Sequence, residues 1–257
     1  LGMPMGEAGE DLRVLHVSDI HNNPAAYKLI AALAEGFAVD LVVDTGDLTD
    51  YGTPLEGGLA AAIARLKVPY VFVPGNHDSP EVISRLRRLK NVVVLAGRPV
   101  KVKGLWLLGL PDPAAMTWTN EAPLEGVLAR AGEELLSTWE ASTVKPDLVV
   151  AHNFAMLRPL LGKAPVLLHG HDHRASLQEM EGSLIVDAGT SGAAGYRGLA
   201  SEKAVPYTLN LQYWRKEAGG SFRLVAVDAI SLDGLGGRLQ VTRKVIGEEA
   251  MRITERP

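Results

Sequence analysis

Five short apolar runs, at residues 12–17, 41–43, 71–73, 148–150 and 166–168, each lead into a turn that carries aspartate, asparagine or histidine. The turns read Asp19-Ile20-His21, Gly46-Asp47, Gly75-Asn76-His77-Asp78, His152 and Gly170-His171-Asp172-His173. Runs this short and this apolar are the mark of strands covered on both faces, and open α/β sheets gather ligands at the carboxyl ends of such strands. Five strand ends on one side of a fold would therefore bring their side chains to one place. Five of the seven histidines fall in this set.

The surrounding pattern agrees with an α/β chain. Strands are predicted at 12–18, 39–44 and 69–73, followed by helical stretches at 24–35, 54–66 and 80–89 that open on Pro24, Pro54 and Pro80. Gly57-Gly58 weakens the start of the second helix. Shorter strands follow at 92–95, 100–102 and 105–109, then a long helix over 121–140 and apolar strands at 147–151 and 165–169. Residues 176–180 and 184–187 form a hairpin about Glu181-Gly182, and 207–214, 222–231 and 238–246 read as antiparallel hairpins. The glycine-rich loop at 188–199 is placed to line a cleft. With no internal repeat and no dividing linker, residues 12–257 are expected to form one domain behind a flexible segment of residues 1–11.

Composition narrows the chemistry. Hydrophobic residues make up 47% of the chain, enough for a substantial core, and a net charge of −4 leaves no global basic field for nucleic acid or an anionic membrane. The chain has no cysteine, which excludes thiolate sites and leaves His, Asp, Asn and water as ligands. That donor set suits Mn, Fe, Zn, Co or Ni. No run of eighteen apolar residues is present, so no segment of this sequence is predicted to span a bilayer. A cytoplasmic location is the default, and the opening on Leu1 raises a second expectation, an upstream signal or anchor segment.

The spacing of the donors has a chemical reason. Asp19 and His21, like His171 and His173, are separated by one residue past a strand, where a bend turns both toward one centre. Asp47 has two carboxylate oxygens and is the natural bridge between two ions, while Asn76 offers a neutral carbonyl oxygen. Two ions about 3.5 to 4 Å apart clamp a phosphoryl group and lower the pKa of a bridging water toward neutrality.

In this order, D-x-H, G-D, G-N-H-D, H and G-H-x-H resemble the calcineurin-like metallophosphoesterases, over about residues 12–190. The resemblance implies a four-layer α/β/β/α sandwich of two mixed sheets flanked by helices, with two divalent metal ions at its strand ends. It implies Asp19, His21 and His173 around one ion, Asn76, His152 and His171 around the other, and Asp47 between them. His77 falls at the family's histidine near the leaving-group oxygen, as general acid or charge stabiliser. The reaction implied is phosphoester hydrolysis by a metal-bridging hydroxide, with manganese the first choice of metal. Gly46-Asp47-Leu48-Thr49-Asp50-Tyr51-Gly52 is similar to the G-D-x-x-D-R-G of the phosphoprotein phosphatases, so the Asp50 carboxylate is expected to orient His77. Tyr51 departs from that pattern's phosphate-binding arginine, and Asp78 stands where those enzymes have glutamate. Phosphodiesterase is accordingly preferred over phosphomonoesterase or protein phosphatase. A nuclease acting on polynucleotide ends, served by Arg85, Arg87, Arg88 and Lys90, and a non-catalytic metal-stabilised module are the rivals.

Other polar residues have plainer readings. His16 is expected to be a packed structural histidine, His169 core or a neighbour of the metal ligands, Asp44 a loop anchor, and Asp172 and Asp187 turn or supporting carboxylates. Asn22, Arg174 and Arg197 are candidate substrate contacts. Trp118 and Trp139 are expected to pack rather than bind substrate.

Overall fold

A computed structural model describes residues 11–117, 125–195, 205–234 and 237–247. The first sheet contains β1 (Asp11–Val17), β2 (Leu41–Asp44), β3 (Tyr70–Phe72) and β4 (Val92–Val94), which run parallel, and β11 (Tyr207–Lys216), β12 (Phe222–Leu232) and β13 (Leu239–Val245), which extend it antiparallel from β1. Its order is β13-β12-β11-β1-β2-β3-β4. The second sheet has the order β5-β6-β7-β8-β10-β9. There β6 (Leu105–Gly109), β7 (Leu148–Val150), β8 (Val166–His169) and β10 (Ser183–Asp187) are parallel, with β5 (Val100–Val102) and β9 (Ser176–Met180) antiparallel at the two edges.

Three buried clusters show why the central strands carry apolar residues on both faces. Val14, Leu41, Val43 and Val71 of the first sheet pack between the sheets against Leu107, Leu148, Val150 and Leu168 of the second. The alternate residues Leu15, Val42 and Phe72 face outward, against Ile30 of α1 (Pro24–Gly36) and Val82 and Leu86 of α3 (Pro80–Leu86). Val149, Leu167 and Ile185 face outward on the other side, against Leu128 and Leu135 of α5 (Glu125–Ala141). Both faces of both sheets are thus covered, giving the α/β/β/α order, and each fully buried Val or Leu contributes about 1.5–3 kcal/mol.

Local chemistry sets the helix ends. Asn23 accepts the Ala25 N–H at 2.9 Å as N-cap of α1, and Ser79 caps α3 by accepting from Val82 at 3.3 Å. The stretch expected as one helix at 54–66 divides into α2 (Pro54–Leu59) and a 3₁₀ segment (Ala60–Arg65), just after the paired glycines that weaken its first turns. Helix α3 stops three residues earlier than expected. The short α4 (Pro113–Thr117) and the 3₁₀ turns Phe154–Met156 and Arg158–Leu160 are too brief for periodicity to reveal. The expected start of the 121–140 helix, Trp118, Arg197 and most of residues 1–11 lie outside the described residues. Trp139 packs against the outer cluster of the second sheet. Among the described residues, no helix is long and apolar enough to cross a membrane.

Candidate metal centre

Because β1, β2 and β3 are parallel, as are β6, β7 and β8, the turns that follow them open on the same end of the sandwich. Those turns are sewn together through the backbone: Asp19 N–H donates to Gly46 O at 2.9 Å, His21 N–H to Asp47 O at 3.0 Å, and Gly170 N–H to His152 O at 3.0 Å. Asp19, His21, Asp47, His171 and His173 all adopt positive φ, between 46° and 81°. Left-handed backbone at a non-glycine residue costs on the order of 1–3 kcal/mol, and its concentration at one site marks a geometry that the surrounding packing enforces.

Two groups of donors result. In the first, His21 Nε2 and His173 Nε2 face each other at 3.2 Å, and Asp19 Oδ1 lies 3.1 Å from His173 Nε2 and 3.7 Å from His21 Nε2. In the second, His171 Nδ1 lies 3.1 Å from Asn76 Oδ1 and 3.2 Å from His152 Nε2, which is itself 3.2 Å from Asp47 Oδ2. The same Asp47 Oδ2 reaches to 3.9 Å from His21 Nε2, so it stands between the groups. Facing imidazole nitrogens cannot satisfy one another while both carry lone pairs, and Asp19 Oδ1 is buried with no hydrogen-bond donor. Neighbouring ligands about 2.1 Å from one cation at right angles stand about 3 Å apart, so both groups fit a divalent ion.

Supporting contacts fix which ring nitrogen faces inward. His152 donates its Nδ1–H to Thr45 O at 2.8 Å, leaving Nε2 toward Asp47. Asp19 Oδ2 accepts from the Ser18 hydroxyl at 2.5 Å and the His171 N–H at 3.0 Å, which directs Oδ1 inward. The Asp50 carboxylate, expected on His77, lies instead 3.0 Å from His21 Nδ1. It is the Asp50 backbone carbonyl that receives His77 Nδ1, at 2.7 Å. The reason is local: the loop turns its peptide toward His77 and its side chain back toward the first donor group. His77 and His21 stack edge-on with centroids 5.5 Å apart.

The electrostatics favour positive charge in the pocket. Burial works against Asp19, yet the imidazoles of His173 and His21 beside it hold it well below the usual carboxylate range. Burial likewise opposes charge on His152, but Asp47 raises it well above the ordinary imidazole value. His171 is lowered, by burial and by the neighbouring His152 charge.

Several residues matter here in roles that the sequence motifs did not assign. Asp78 is buried, and its carboxylate accepts the N–H groups of Asp47, Thr49 and Gly75 at 2.9–3.1 Å, tying the second and third turns together. Burial pushes Asp78 up to about 7, with the Asp47 charge adding to it. Glu56 accepts from Asn22, Tyr51 N–H and Thr53 N–H. Asp112 comes after β6 much as the donor residues come after their strands, is fully buried, and leaves Oδ2 unpartnered. The apolar run at 105–109 was the available signal for it.

The remaining expectations divide. Asn22 is buried with its amide on Glu56 at 2.6 Å, which makes it part of the loop anchoring. Arg174 is exposed. His169 lies beside the centre, its Nδ1 3.1 Å from Gly170 O and 3.3 Å from Asp187 Oδ2, and burial pushes Asp187 up to about 9. Asp172 is exposed and accepts the Arg174 N–H at 3.2 Å. Asp44 accepts from Gly46 N–H and the Tyr70 hydroxyl, and His16 is wholly buried.

Comparison with known proteins places this geometry. DNA double-strand break repair protein Mre11 of Saccharolobus solfataricus is 27% identical over 128 residues, covering 39% of this chain and 33% of that protein. Probable glycerophosphodiester phosphodiesterase GpdQ of Arcobacter nitrofigilis is 47% identical over 47 residues, covering 18% of this chain and 17% of that one. The chain therefore matches a third or less of these relatives' own length. Among solved structures, GAP50, the anchor in the inner membrane complex of Plasmodium, shares the fold with a TM-score of 0.59 at 14% identity, covering 93% of this chain and 90% of that one. A putative 5'-nucleotidase from Staphylococcus aureus does so with a TM-score of 0.54 at 15% identity, covering 95% and 57%. The profile of the calcineurin-like phosphoesterases matches residues 12–175, more than half of the sequence and the stretch that carries all seven donors, and the chain belongs to that family.

Proposed function

We propose that this chain hydrolyses phosphodiesters with two divalent cations, one held by Asp19, His21 and His173, the other by Asn76, His152 and His171, with Asp47 shared. The observation that carries this reading is the pair of donor groups meeting at Asp47 Oδ2. When bound, such ions supply Lewis acidity to the phosphate oxygens and bring the pKa of water near neutrality. The chain's own residues do the rest. His77 commits Nδ1 to the Asp50 carbonyl, so its other ring nitrogen is the one that meets the leaving oxygen and delivers a proton or stabilises its charge. Asp50 orients His21, and Asp78 holds the two turns that carry Asp47 and Asn76.

A diester carries one charge fewer at phosphorus than a monoester, which suits a site with Tyr51 at the phosphatase arginine position. The likeness to GpdQ points the same way. The likeness to Mre11 supports a polynucleotide diester as the second reading. The nitrogen and oxygen donors suit Mn, Fe, Zn, Co and Ni alike, and Mn is the ion to supply first.

The test compares an aryl diester, the matching aryl monoester and a single-stranded oligonucleotide, with Mn supplied and then chelated. Diester turnover should vanish with chelation and return with Mn. His77→Asn should lower kcat by about 10²–10⁴-fold at unchanged metal content. Faster monoester turnover would overturn the diester preference, and no turnover of any substrate would leave a metal-stabilised binding module.

A further inference from the structure

Tyr51 is 61% exposed, although the loop that presents it is anchored by several hydrogen bonds. Glu56 accepts the N–H groups of Tyr51 at 3.2 Å and Thr53 at 2.7 Å, the Thr53 hydroxyl at 2.9 Å and the Asn22 amide at 2.6 Å. The Ser79 hydroxyl donates to Gly52 O at 2.6 Å, and His77 Nδ1 donates to Asp50 O at 2.7 Å. Gly52 has a φ of +64°, and a Cβ there would come within 2.6 Å of the Ser79 side chain, so the loop is seated directly on the start of α3. A lone exposed aromatic on a surface needs no explanation. One whose backbone is held at a fixed place beside a reacting group is different, because a pre-ordered loop binds at a smaller ordering cost.

The chain geometry says what it stands beside. Asp50 O touches His77 Nδ1, and a trans peptide places the next Cα about 2.8 Å from that oxygen. Tyr51 Cα is therefore within about 5.5 Å of the His77 ring, closer than the length of a tyrosine side chain. The leaving oxygen meets the other ring nitrogen of His77, one ring's width from the Asp50 carbonyl, so the organic portion of the departing alcohol emerges beside the loop that carries Tyr51.

We infer that Tyr51 is a specificity-determining residue that binds the leaving alcohol of the diester, with a preference for a planar aromatic or heterocyclic group over a small aliphatic one. This rests on the phosphodiesterase reading above and names the substrate class of that site. The phenol ring offers a face for stacking, and Glu56 fixes the loop that carries it.

The experiment measures kcat and KM in Mn-replete protein for bis(p-nitrophenyl) phosphate and for glycerophosphoethanolamine, the latter by released alcohol. Tyr51→Ala should raise KM for the aryl diester about 10-fold, the size of one stacking contact, with kcat changed less than about 2-fold. Tyr51→Phe should stay near wild type, and the aliphatic diester should change less than about 2-fold in either variant. An unchanged aryl KM in Tyr51→Ala, or equal losses on both substrates, would overturn the inference while leaving the phosphodiesterase reading intact. Failure of the wild-type protein to turn over both diesters would overturn that reading, and this inference with it.

Discussion

The Nδ1–H of His152 donates to the carbonyl oxygen of Thr45 at 2.8 Å. A carbonyl only accepts, so the neutral ring must keep its lone pair on Nε2, where Asp47 Oδ2, at 3.2 Å, and His171 Nδ1 converge. The ring is thereby oriented toward the donor group by the peptide that follows β2, 107 residues earlier in the chain. His152→Ala removes that donor and should lower Mn retained after desalting from about two ions per chain toward one, read by elemental analysis against circular dichroism for the fold. Two tightly held ions in a folded variant would show that His152 is no ligand.

Asp50 tests the orientation of the other group. Its Oδ1 lies 3.0 Å from His21 Nδ1, on the side of the ring away from His173. Carboxylates in this position typically contribute 10–100-fold to metal affinity or activity. Asp50→Asn keeps the size and removes the charge, and should weaken Mn binding by about that factor in a calorimetric titration. His77→Asn, which lies outside both donor groups, should leave the same titration unchanged. Equal effects from the two variants would deny Asp50 its special role.

The strand ends were legible because their signal is local: an apolar run, a turn and a chelating side chain occupy a few consecutive residues. The roles of Asp78, Glu56 and Asp112 were not, because each acts on backbone N–H groups or charges brought close only by folding. Asp50 shows the limit most clearly. Its loop motif pointed to His77, and a side chain can reach either of two neighbours from one backbone position. Only the turn of the Asp50 peptide toward His77 decides that its carboxylate goes to His21. Helix α4 and the 3₁₀ turns escaped for another reason, being shorter than the periodicity that reveals a helix.

The closeness of the turns makes a further prediction. A Cβ on Gly170 would sit 1.8 Å from Ser18 Oγ and 2.5 Å from Asp19 Oδ2. Gly170→Ala must therefore push the fifth turn off the first, costing about 1–3 kcal/mol as overpacking does and separating His171 and His173 from Asp19. The midpoint of urea unfolding should fall, and Mn binding should weaken in the same variant. Adding Ser18→Ala removes the nearer obstacle and should recover part of the stability, a coupling that a double-mutant cycle measures. Strict additivity of the two substitutions would contradict the packing described.

Behind the centre, His16 makes a prediction about acid. It lies fully buried between the sheets, with Nε2 3.2 Å from Thr45 Oγ1 and Nδ1 3.2 Å from Asn210 Nδ2. Trp214 Nε1 can only donate, and it donates to Gln212 Oε1 at 3.1 Å; Gln212 in turn donates to Asn210 Oδ1 at 3.0 Å. That chain fixes the Asn210 amide as a donor to His16, so Nδ1 must accept and the ring must be neutral. Burial, with the charge of His169 adding to it, lowers His16 to about 3. The unfolded chain, with an ordinary value near 6.5, then binds more protons than the folded one between about pH 6.5 and 3. Stability is full above that window and falls as the pH drops through it, by up to about 1.4 kcal/mol per pH unit from this group. His16→Gln preserves an acceptor toward Asn210 and a donor toward Thr45 but cannot titrate. Urea midpoints at pH 7.5, 6.0 and 5.0 should therefore decline less steeply in His16→Gln than in the wild type, since every other titrating group is common to both. Parallel declines would mean that His16 takes up its proton within the fold, and that the Trp214-to-His16 chain does not hold its direction.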